Sequence, residues 1–230
     1  MNTNPPSRST AAQGNAVGGG DSLTRALGAI ALIGVAIITI VCLAVQFLRT
    51  DLDWVTVQMS LYVNGPYGGL VRASFFAPAP ALIALGVGWY LALRKQARCI
   101  VSLALFVTAA IALCFVGGFA ADATAQAVTV HGAIHEWAAF ATFVCATSAM
   151  ALQSWWLRLD PNWRGHFPSA FGVAAIAIVY FWVYALFKPI PRGLGEKGVI
   201  ALVLLWMWRA AWWLVRSRAT RFSHAPHMSP

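Results

Sequence analysis

A chain of 230 residues that is 60% hydrophobic and only 10% charged is not an ordinary soluble domain. Its long apolar runs take up most of the length and leave no room for a separate soluble domain. The formal net charge of +9 is divided among loops between those runs, a distribution that reflects membrane topology and excludes nucleic acid as a partner.

Residues 1–23 are rich in Ser, Asn, Gly, Thr and Pro and cannot bury enough apolar surface to offset ordering, so a disordered tail is expected. Spanning the hydrocarbon takes about 20 apolar residues per helix. Six runs qualify: 24–48, 69–93, 99–120, 130–157, 168–187 and 198–216. The first is long and is followed by the charged FLRTDLDW, not by a small-residue cleavage site, so it reads as an uncleaved span. Between runs one and two, Asn64-Gly65-Pro66 signals a turn and Gly68-Gly69 allows close backbone approach. Pro78 and Pro80 predict a kink in the second span. Spans three and four hold small residues, among them Ala109, Ala110, Gly117, Gly118, Ala138, Ala139, Ala141 and Ala146, that favour close helix contact. Residues 217–230 form a basic tail.

Basic residues alternate by connection. Arg8, Arg25, Arg94, Lys95, Arg98, Arg158, Arg164, Arg216, Arg218 and Arg221 fall on one side. Arg49, Arg72, Lys188, Arg192 and Lys197 fall on the other. The positive-inside rule then puts both termini in the cytoplasm. Trp155, Trp156, Trp163, Trp212 and Trp213 gather near that cytoplasmic interface, as an aromatic belt does. Cys42, Cys99, Cys114 and Cys145 lie in spans or at a cytoplasmic edge, form no CxxC, and read as packing residues. No internal repeat supports an inverted-repeat transporter.

Ionisable groups at membrane depth usually face a bundle interior or a water-filled cavity. VTVHGAIHEWAAF places His131 and His135 one turn apart on one helix face, with Glu136 rotated about 100° away. Two imidazoles at this spacing can share a metal, and Asp122 is the nearest third ligand. Zinc is the metal such a set would hold, with Glu136 as its partner or as a base. The same residues also suit a structural hydrogen-bond cluster, in which the histidines bond loop carbonyls and Asp122 caps span four or pairs with Arg72 or Lys197. Haem is disfavoured, because two histidines on one face of one helix cannot supply opposed axial ligands, and His166, His224 and His227 lie on the cytoplasmic side. Ser60, with Asn64 and Tyr67, belongs to the first outer loop and could serve as a nucleophile beside a His base, although no G-x-S-x-G surrounds it. In RGLGEKG, Glu196 and Lys197 start span six, where the helix dipole favours the carboxylate. Arg192 and Lys197 are also candidates for an anionic head group. Arg209, inside LLWMWRAAWWL, is expected to snorkel toward the cytoplasmic interface.

Four segments resemble the bacterial and archaeal six-helix membrane proteins catalogued as Domain of Unknown Function 998. They are MSLYVNGPYGGLVRASFF, FAADATAQAVTVHGAIH, RLDPNWRG and GLGEKGVIALVLLW, spread over residues 55–215. The family often has prolines beside the aspartate of the second segment, where this chain has Ala121 and Ala123. The resemblance implies a fold and a membrane location, and no catalytic role.

The expected protein is therefore all-α: a polytopic six-helix bundle over residues 24–216 in the plasma membrane, both termini cytoplasmic. Its outer mouth is lined by Asp122, His131, His135, Glu136, Ser60 and Arg72. Three functions stay open. One is a zinc-assisted hydrolase or transferase acting on a lipid or lipid-linked substrate, with Asp122, His131 and His135 as ligands and Glu136 or Ser60 catalytic. A second is a small-solute or proton-linked transporter or sensor. The third is an accessory subunit of a membrane-protein partner.

Overall fold

The computed structural model describes residues 8–122, 129–187 and 190–217, with side chains from Ser22 onward. The expected tails at 1–7 and 218–230, together with Ala123, Lys188, Arg218, Arg221, His224 and His227, lie outside the described residues. The fold is all-helical, with 81% helix and no strand among the described residues. Its helices are α1 (Arg8–Leu48), α2 (Gly68–Ser74), α3 (Pro78–Ala92), α4 (Ile100–Gly118), α5 (Val130–Leu157), α6 (Phe167–Leu186) and α7 (Arg192–Arg216). Helix α1 begins inside the segment expected as a tail.

Five helical stretches are long and apolar enough to cross a membrane: 22–48, 68–92, 100–118, 164–186 and 192–216. Helix α5 has 28 residues, which suffices in length. It is less apolar because His131, His135, Glu136 and Gln153 interrupt it.

The long helices form a ring. Helix α1 packs on α3, α3 on α4, α4 on α5, α5 on α6, α6 on α7, and α7 returns to α1. Short connections make sequence neighbours antiparallel neighbours in space. The end carrying the 49–67 connection is called upper here, and the end carrying the 94–99 and 158–166 connections lower.

Helix boundaries follow local chemistry. Thr129 N-caps α5, its hydroxyl accepting the Gly132 N–H at 3.0 Å. Helix α4 ends at Gly118, where the Arg72 guanidinium takes the Gly117 and Gly118 carbonyls that have no partner further along the helix. At the expected proline kink α2 stops at Ser74 and Pro78 opens α3 at its first turn, with Phe75 and Ala77 keeping right-handed helical dihedrals and i→i−3 hydrogen bonds running through the segment between. There α1 comes so close that a Cβ on Gly34 would lie 2.5 Å from the Ala77 carbonyl oxygen.

Small residues dominate the interior, with Ala31, Ala81, Ala109, Ala149, Ala174 and Ala210 fully buried. Large apolar residues face outward, among them Ile40, Leu43, Phe47, Val179 and Leu186. This arrangement suits helices packing closely in lipid. At the lower end the fully buried Asp160 accepts the Arg94 N–H at 2.9 Å and the Asn162 N–H at 2.9 Å. One carboxylate thus ties two connections together, beside an edge-on Trp89–Trp163 pair. RLDPNWRG is accordingly a corner of the fold.

Candidate functional site

The upper connection is folded down onto the bundle. Met59 and Tyr62, in the 3-10 turn Met59–Val63, are fully buried against Ile38, Val45, Val71 and Phe75. Two cations hold the segment. Arg49, buried, pairs through Nε and Nη2 with both Asp51 oxygens at 2.8 Å, and its Nη1 donates to the Asn64 carbonyl at 2.7 Å. The fork geometry of guanidinium suits this bidentate pairing, and Arg49 holds the Asp51 carboxyl below its ordinary range. Gly65, at φ +88°, gives the turn the left-handed conformation that lets the chain pass over Arg49. Lys197 Nζ donates to the Trp54 and Val57 carbonyls at 2.7 and 3.0 Å and lies 4.8 Å from the Tyr62 ring centre.

The first turn of α7 completes the clasp. The N–H groups of Gly193 and Leu194 donate to the Thr56 and Val55 carbonyls at 3.1 and 2.8 Å. A Cβ on Gly193 would stand 2.5 Å from the Val57 oxygen. Because α7 starts at Arg192, Glu196 sits a full turn inside the helix. The helix-dipole account of Glu196 therefore gives way to a different one. Its side chain is buried, and its Oε2 accepts the Met59 N–H at 3.1 Å from the folded-down connection.

Beneath this roof lies a cavity of about 100 Å³. Its walls are mostly apolar, with Leu82, Leu113, Phe143 and Met207 among them, and they are interrupted by Ser60, His135, Thr142 and Glu196. His135 comes from the second turn of α5 and is buried. Its Nδ1 lies 2.8 Å from the Phe119 carbonyl and 3.1 Å from that of Val116, so Nδ1 carries the proton and donates to the end of α4. Its Nε2 is buried and has no hydrogen-bond partner.

The expected site residues thus separate. Ser60 and His135 do line one cavity, but the partnerless Nε2 means that no Ser–His hydrogen bond is formed. Asp122 is a capping residue: its oxygens accept the Thr129 hydroxyl at 2.7 Å and the Thr129 N–H at 2.9 Å. These bonds, the hydroxyl first, hold its carboxyl below the ordinary 3.8. Asp122 also lies against Gly132, where a Cβ would collide with it. His131 is exposed, edge-on to Phe119 at 5.4 Å, and Glu136 is exposed one residue past His135. Arg72 caps α4 and does not line the cavity. Among the described residues, no three His, Cys, Asp or Glu side chains are grouped to hold a metal ion. The expected zinc ligands Asp122, His131 and His135 are split by the geometry of the cap: the aspartate turns to Thr129, one imidazole outward and the other inward.

Glu196 is the site residue that the sequence reading missed. Its signal was the GxGxxG-like spacing of Gly193, Gly195 and Gly198, which marks close approach on two sides of the helix, Gly193 to the connection and the other two to α6. Added Cβ atoms at Gly195 and Gly198 would strike Tyr184 and Tyr180 of α6.

No curated protein and no solved structure matches the chain. A family profile described as "Protein of unknown function (DUF998)" matches residues 32–213, which takes in α2 to α6 whole, the C-terminal part of α1 and most of α7. With the site's Ser60, His135 and Glu196 inside the matched region, the chain belongs to the DUF998 family.

Proposed function

We propose that this protein is a six-span membrane protein, α5 being the sixth span, with both termini cytoplasmic and the upper end facing outward. Its function is to bind a small apolar molecule, or the end of a lipid chain, in the upper cavity. The observation that carries this reading is a cavity of about 100 Å³, walled by apolar side chains, into which a buried imidazole without an Nε2 partner is built. Most buried polar groups in proteins are hydrogen-bonded, and a partnerless one at a cavity is a place where a ligand completes the bonding. The binding reading is preferred to zinc-assisted hydrolysis because Asp122 serves as a cap and Glu136 lies outside the cavity lining.

Displacement of a hydrophobic fluorescent dye from the purified protein in lipid nanodiscs tests the reading. Ala139 lines the cavity and is small, so Ala139→Phe fills it. The variant should keep its helical content and lose saturable dye binding. Equal saturable binding by wild type and a folded Ala139→Phe variant would refute the cavity as the binding site.

A further inference from the structure

Three of the polar side chains lining the cavity, His135, Thr142 and Glu196, present acceptors, while Ser60 and Cys42 can also donate. With its Nδ1–H committed to the Phe119 and Val116 carbonyls, a neutral His135 presents a lone pair at Nε2. Thr142 spends its hydroxyl proton on the Ala138 carbonyl at 2.8 Å, leaving its oxygen as an acceptor. Glu196 is 9% exposed, and one of its carboxylate oxygens takes a backbone N–H. Lys197, the next residue, acts on its charge through space, but no cation forms an ion pair with it. Lys197 points to the carbonyls of Trp54 and Val57, Arg49 to Asp51 and Asn64, and Arg72 to the end of α4. The ion pair near the cavity roof is Arg49–Asp51. A buried carboxylate is costly unless an opposite charge and hydrogen bonds accompany it, and ionisable groups at membrane depth tend to mark ligand sites. An anionic head group would meet Glu196 with no free cation beside it. A head group that carries a positive charge and several N–H donors would satisfy Glu196 and His135 together.

Resting on the binding reading above, we propose that the ligand is an amphiphilic amine. Its ammonium N–H groups donate to the Glu196 carboxylate and to His135 Nε2, and its apolar part lies against Leu82, Leu113 and Phe143. The chemistry that selects it is donor count and charge: an alcohol of equal length offers one donor and no charge, and a carboxylate offers no donor and a charge of the wrong sign.

The test compares n-octylamine, 1-octanol and octanoate as competitors of the hydrophobic dye, using the full chain in nanodiscs with empty nanodiscs as the partition control. Charge-assisted hydrogen bonds are about twice as strong as neutral ones, so octylamine should compete at least about tenfold better than octanol, with octanoate weakest. Glu196→Gln keeps an oxygen for the Met59 N–H and should bring octylamine to the level of octanol. Equal competition by the three heads overturns the amine proposal and leaves the cavity reading standing, as does a preference for octanol or octanoate. Failure of all three to displace specifically bound dye overturns the cavity reading itself. The wild-type series decides the matter even where Glu196→Gln fails to fold.

Discussion

Asp122 and His135 show how a single residue's neighbours decide between chemistry and architecture. Both belong to the densest polar segment of the chain, and a metal set was a fair expectation from type and spacing. Spacing on one helix could not reveal that α4 ends four residues before Asp122, leaving carbonyls that His135 Nδ1 satisfies. Nor could it show that Thr129 would claim both Asp122 oxygens. Ser60 with His135 was legible as a shared mouth, because the connection holding Ser60 and the first turns of α5 fall at the same end of the bundle. The capping role has a pH signature. Folding depresses the Asp122 carboxyl below its ordinary 3.8, so folding favours the charged form. Its contribution is fully present above that ordinary value and is lost as pH falls through the lower, folded-state value. Asp122→Asn should therefore lower the melting temperature in mild detergent at neutral pH and lessen the decline below about pH 4. Acid limbs that run parallel in variant and wild type would count against the cap.

At the level of elements, apolar run length located every long helix, since crossing a membrane demands an unbroken apolar stretch. Boundaries were less readable. The α7 start was placed too late because Gly193, Gly195 and Lys197 look like loop residues, yet each faces another part of the protein: Val57, Tyr184 and the 54–62 connection. The prolines were read as a kink, and the kink lies in the tightened turn between Ser74 and Pro78, with Pro78 at the first turn of α3. Gly193 is the hinge of this reading, because the α7 N-terminus reaches the connection only without a Cβ. Gly193→Ala should destabilise the protein by about 1–3 kcal/mol through overpacking, seen as a lower melting temperature and faster proteolysis between Asp51 and Asn64. Unchanged stability and cleavage would show that the clasp is loose.

For the whole molecule, the ring of six long helices agrees with the expected bundle, and composition alone made the membrane legible. The ordering of the ring was beyond sequence, although short connections favour neighbours. The proposed orientation can be checked directly. In a cysteine-free background, Trp54→Cys, at an exposed position, should react with a membrane-impermeant maleimide added to intact cells. Ser217→Cys, just past α7, should react only after permeabilisation. The reverse pattern inverts the topology and moves the cavity to the cytoplasmic leaflet.

Met59 and Tyr62 are fully buried beneath a connection pinned by Arg49 and Lys197. On the binding function proposed above, this roof routes the ligand through the bilayer, between helices, and not from the water above. Occupancy then follows the ligand's mole fraction in the lipid, and its aqueous concentration matters only through partitioning. Apparent affinity per litre should weaken as lipid is added at fixed protein, while affinity per mole of lipid stays constant. A more water-soluble analogue with the same head and body would bind worse for want of reaching the door, however well it fitted the room.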